Sequence, residues 1–183
     1  MMFTASWVAG LVASGLVLLL ASRSMAQQAA TLRQTGGPGI VAFELAGTTA
    51  KSREILTMWG LAGRHAAKRN LYADFPFIIG YVGLLAIPAW VSADTIGNQT
   101  WHWAEGIGLA VAIAAVLAGV LDIAEDLLLL SALSAADDAT NDLQPQTRAG
   151  QICALTKFTL IAFAITWLII VAVPVVLTAV GTA

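Results

Sequence analysis

Ala118-Gly119-Val120-Leu121-Asp122-Ile123-Ala124-Glu125-Asp126-Leu127-Leu128-Leu129-Leu130 is one apolar run broken by three carboxylates. At helical spacing Asp122, Glu125 and Asp126 stand at i, i+3 and i+4, so they share one face. Ala115, Ala118 and Gly119 extend that face with small side chains, which suits close helix packing beside a polar pocket. Acids inside such a run are costly, and by default they mark a functional site or a paired structural one. The stretch predicts a membrane helix with a polar site on its inner face.

Composition agrees with that reading. Of 183 residues, 58% are hydrophobic and 11% are charged, against about 25% charged in a soluble domain. Mean hydropathy is +0.81. The net charge of −2 and the absence of a basic block argue against nucleic-acid binding. The single cysteine, Cys153, makes no internal disulfide. Two histidines, His65 and His102, fall in different predicted loops, so neither a bis-histidine haem nor a His-rich metal site is expected. No cofactor and no resident metal are expected.

Outward from this stretch, hydropathy marks four spans, at about 3–22, 71–91, 104–133 and 154–180. The expected fold is an all-α four-helix membrane bundle forming a single domain over 1–183. In the first span Ser6, Gly10 and Ser14 form a small-residue ridge. Ser24-Met25-Ala26 resembles a signal-peptide cleavage site, but no Lys or Arg precedes the apolar run, so a retained helix is expected. Residues 23–70 read as a long polar connection, with Thr35-Gly36-Gly37-Pro38-Gly39 breaking any helix. Within it, 51–69 reads as an amphipathic helix. Ile55, Met58, Trp59, Ala62 and Ala66 fall on one side, with Arg53, Thr57, Arg64 and Lys68 on the other. That pattern suits a helix in the membrane interface or a cap over the bundle.

Pro76 is expected in the first turn of the second span, Pro88 at its end and Pro174 at a kink in the fourth. Trp90, Trp101 and Trp103 flank the loop after the second span as interfacial anchors. Asn98-Gln99-Thr100 fits a glycosylation acceptor, a weak three-residue pattern. The third segment is longer than a membrane needs, and its acidic end is expected to protrude.

The first polar connection carries seven basic residues and the second none, while the third carries Arg148. The positive-inside rule then puts the first and third connections in the cytoplasm and both termini outside. On that orientation Asp74, Asp122, Glu125, Asp126 and Lys157 lie at one level, near the cytoplasmic face. Glu44, an acid in a short apolar run, needs water or a basic partner, with Arg53 and Arg64 as candidates.

Such a layer can be a structural set of ion pairs. It can be a proton or cation pathway, because crowded carboxylates do not all stay ionised cheaply in a low dielectric. A third reading is a lipid head-group binding or processing enzyme, with basic residues holding phosphate while a carboxylate, with or without a divalent ion, acts on the substrate. A fourth is an accessory subunit of a membrane complex, docked through the small-residue ridge. The expected partners are membrane lipids, with further subunits or self-association under the last reading.

Phe43-Glu44-Leu45-Ala46, Ile55, Trp59-Gly60, Arg64, Asp74-Phe75 with Phe77 and Tyr81, Asp122 and Glu125, and Lys157-Phe158 together carry a resemblance. They resemble a pattern in small four-span bacterial integral membrane proteins with no assigned activity. The resemblance implies a bacterial inner-membrane location and picks out the same polar layer. Asp126 stands where that pattern has an amide, which adds a negative charge.

Overall fold

The structure, a computed structural model, describes residues 5–97 and 102–181, with side chains for 5–93 and 105–171. Trp101 and the Asn98-Gln99-Thr100 pattern lie outside the described residues, as do the side chains of His102, Trp103 and Pro174. The described chain is all-helical: α1 (Ala5–Gln34), α2 (Ile40–Glu44), α3 (Thr49–Gly97), α4 (His102–Ala135) and α5 (Gln144–Gly181). α1, α3, α4 and α5 are each long and apolar enough to cross a membrane. They pack in chain order, α1 on α3, α3 on α4 and α4 on α5, with a smaller α3–α5 contact.

Each long helix outruns the span read from hydropathy. α1 continues through 23–34 because that stretch is rich in Ala, Gln and Arg, which are good helix formers although the stretch as a whole is polar. It stops at Gln34, where the Gly-Pro run begins. The polar connection is therefore only 35–48, and the segment expected as a separate helix at 51–69 is divided at Gly60, with 61–69 running on into the second span. Gly60 kinks α3 at φ 56° and ψ −165°, a conformation that a side chain would not tolerate. The buried positions 52, 55, 56, 59, 63, 66, 67 and 70 keep one helical face across the kink, and that face is centred on Ser52, Trp59 and Gly63 rather than on Met58 and Ala62. Ile55, Leu56, Trp59, Ala66 and Ala67 are buried, while Met58 and Ala62 are exposed. The segment caps the bundle end against Leu129, Leu133 and Leu143.

Pro76 and Pro88 also depart from expectation, since both lie inside α3, which runs on to Gly97. Prolines are tolerated within spanning helices where neighbouring helices and hydroxyls serve the freed backbone.

α1 and α3 meet along a seam of small residues. A Cβ on Gly80 would stand 2.8 Å from Leu18 N and 2.9 Å from Leu18 Cα. Gly83 lies against Ser14, and Gly10 against Ile87. The ridge expected to serve a partner is thus covered by α3 along Gly10 and Ser14.

The outward faces are apolar, while the interior holds a charged layer between apolar clusters. Val12, Leu20, Ile123 and Leu127 point out, whereas Asp122, Glu125 and Asp126 are buried. A water-soluble fold has the opposite arrangement, and lipid is the solvent that suits this one.

Candidate functional site

α4 presents Asp122, Glu125 and Asp126 to the bundle interior, and all three are at least 97% buried (3%, 0% and 1% exposed). α3 adds Asp74 and Tyr81, which stand one heptad apart on one face. α5 adds Lys157, and α2 adds Glu44. The sequence-predicted set of Asp74, Asp122, Glu125, Asp126 and Lys157 is therefore brought together. Lys157 lies in the middle of α5 rather than in a first turn, because α5 begins at Gln144.

Asp122 is the centre. Lys157 Nζ donates to Asp122 Oδ1, and Tyr81 Oη donates to Asp122 Oδ2 at 2.9 Å. Lys157 Nζ also lies 2.7 Å from Glu125 Oε2. The two sides of the layer then differ. On one side Lys157 serves Asp122 and Glu125, whose Oε1 is still buried without a hydrogen-bond partner among the described residues. On the other, one carboxylate oxygen from each of Asp74, Asp122 and Asp126 lies within 4.8 Å of the others. Asp126 Oδ2 is buried and has no hydrogen-bond partner among the described residues.

Glu44 lies within the electrostatic reach of Lys157 and Asp122 and beside the Glu125 carboxyl. Burial holds the Glu44 carboxyl above its ordinary value of 4.5; Lys157 opposes the rise and Asp122 adds to it. Arg53 and Arg64, the expected partners, lie elsewhere. Arg53 Nη2 donates to Asn141 O at 2.6 Å and to Asp138 O at 3.1 Å, fastening the loop before α5. Arg64 reaches back across the Gly60 kink to Leu56 O at 3.2 Å and pairs with exposed Asp137 at 3.6 Å. With His65 and Lys68 it lines a separate cavity of about 240 Å³. Both arginines are spent on backbone carbonyls that the kink and the loop leave without helical partners.

The layer is not at the bundle end, and its acidic residues do not protrude. Along α4 it falls between the apolar cluster holding Val111 and Ala112 and the one holding Leu129, Ala132 and Leu133. Along α3 it falls between Leu71 and Ala89, and along α5 between Leu143 and Ala164. Apolar packing on both sides keeps the local dielectric low and strengthens every charge interaction inside.

Tyr81 is the site residue that the motif reading left out of its candidates. Its seven-residue spacing from Asp74 is the signal that could have found it. Comparison of the chain with protein-family models, with curated proteins and with solved structures finds no match.

Proposed function

We propose that the chain is a multi-pass membrane protein that takes up and releases protons or small cations in its buried charged layer. The observation that carries this reading is a surplus of acid. Among the described residues, five buried carboxylates, Glu44, Asp74, Asp122, Glu125 and Asp126, share one buried cation, Lys157. If all were ionised, four negative charges would remain uncompensated in a low dielectric. A structural ion pair has no need of such an excess, and protons or mobile cations are what can neutralise it. Tyr81 and Lys157 hold Asp122 in place, so the central carboxylate is oriented on both its oxygens.

The positive-inside bias supports an orientation with both termini outside, and the resemblance to small four-span bacterial proteins supports an inner-membrane location. Lipid chains are the partners that suit the exposed apolar faces. Two features weigh against the rival readings. The small-residue ridge packs on α3 instead of offering itself to another subunit. Arg53 and Arg64 are held away from the acids, so no basic pair stands over them to present a phosphate.

The test is proton flux into vesicles holding the purified chain and a pH-sensitive dye. A flux above that of empty vesicles is expected, with Asp122→Asn lowering it at least about tenfold because the oriented carboxylate is lost. A flux equal to that of empty vesicles, or one indifferent to Asp122→Asn, would overturn the reading.

A further inference from the structure

We infer that Asp74, Asp122 and Asp126 form a binding site for one hard divalent cation of the Mg²⁺, Mn²⁺ or Ca²⁺ class. The inference rests on the cation-handling reading above and names the cation for one side of the layer. Three observations carry it. The first is spacing: one oxygen from each carboxylate lies within 4.8 Å of the other two. A cation among them would lie within about 2.8 Å of all three, so a small inward turn of the carboxylates brings them to the roughly 2.0–2.6 Å that Mg²⁺ and Ca²⁺ take with oxygen.

The second is the orphaned oxygen. Asp126 is 1% exposed, and its Oδ2 has no hydrogen-bond partner among the described residues. A buried polar atom left without a partner costs free energy, and a bound cation removes that cost. Lys157 does not fill this role, because its ammonium is engaged by Asp122 Oδ1 and Glu125 Oε2.

The third is the support behind Asp122. A carboxylate oxygen carries two lone pairs, so Asp122 Oδ2 can accept from Tyr81 and still face a cation. Metal-binding carboxylates are commonly held by such outer hydrogen bonds. Among the described residues the group includes neither histidine nor cysteine. An all-oxygen donor set selects hard ions over Zn²⁺ or Cu²⁺. A divalent ion would also cancel two of the four surplus negative charges.

The probe is Mn²⁺ alone, titrated into the full chain in detergent, with free Mn²⁺ followed by electron paramagnetic resonance. One Mn²⁺ per chain is expected, displaced by Mg²⁺ or Ca²⁺. Asp74→Asn and Asp126→Asn should each weaken binding at least about tenfold. Tyr81→Phe, which only frees Asp122, should weaken it by about tenfold. Asp138→Asn, in the exposed loop, should leave it unchanged. Asp126→Asn removes one of several crowded like charges, so it should keep the fold and raise the metal-free melting temperature while losing the Mn²⁺-induced rise.

Uptake that survives Asp126→Asn, or that is lost with Asp138→Asn, would overturn the inference by placing the ion elsewhere. If the wild type takes up no Mn²⁺ while its proton flux still depends on Asp122, the divalent site falls and the proposed function stands. If flux is absent as well, both fall.

Discussion

Where α1 meets α3, contact is made by leaving side chains out; where α3, α4 and α5 meet, it is made by charge. At the first seam Gly80 lies so near the Leu18 backbone that even a methyl group has no room. At the second, Lys157 joins Asp122 and Glu125 while Asp74 and Asp126 crowd the same space. The first seam is complete once packed, because small faces in contact leave nothing unsatisfied. The second carries more acid than base, so its charge balance stays open to protons or ions. A steric seam fixes geometry and an unbalanced polar seam retains chemistry, which is why the candidate site belongs to the second.

The largest effect should come from Lys157→Met, which strands two buried carboxylates at a cost of roughly 3–5 kcal/mol. Thermal unfolding in detergent measures it, and a small change would mean that other cations already serve Asp122 and Glu125. Next is Gly80→Ala, where the new methyl meets backbone that cannot turn aside. Overpacking of this kind costs about 1–3 kcal/mol. The same measurement should show α1 loosened while proton flux is retained; lost flux would show that the two seams are coupled.

A smaller effect tests Glu44, which sits at the edge of the charged seam. Its carboxyl is held above 4.5 by burial, so between that value and its folded value the native state binds the extra proton. Stability from this group is therefore full below 4.5 and is lost as pH rises through the folded value. Glu44→Gln should flatten that part of the stability–pH curve relative to wild type. An unchanged curve would show that Glu44 is not buried in the charged layer.

The smallest effect belongs to the surface loop. Asp142 accepts from the Thr49 hydroxyl and from Gln144 N at 3.0 Å, and these bonds hold its carboxyl below 3.8. A depressed acid contributes stability that is present above its unfolded value and lost as pH falls through the folded one. Hydrogen exchange at the start of α5 should quicken below pH 3.8 in the wild type and show no such step in Asp142→Asn.

Much of the architecture can be read from hydropathy because lipid imposes one strong rule, that apolar runs of sufficient length become helices. The four apolar helices and the shared face of Asp122, Glu125 and Asp126 follow from that rule and from the helical period. Helix ends do not follow from it. Residues 23–34 of α1 are polar yet helical, because helix propensity and packing extend the helix beyond its apolar part. The buried side of 51–69 does not follow from that rule either: that side includes Ser52 and Gly63, which hydropathy does not mark, with Leu56 inward and Met58 outward.

The sequence alone determined that the acids and Lys157 belong to apolar helices and that three of the acids share a face, since periodicity and hydropathy are local properties. Only the tertiary structure decided which charges meet. It put Glu44 beside Glu125 and in the field of Lys157 instead of with an arginine, spent Arg53 and Arg64 on loop and kink carbonyls, and added Tyr81 to Asp122. It also enclosed the layer between two apolar clusters, away from the bundle end. Those pairings depend on how four helices are rotated and shifted against one another, and that is set by packing between residues far apart in the chain.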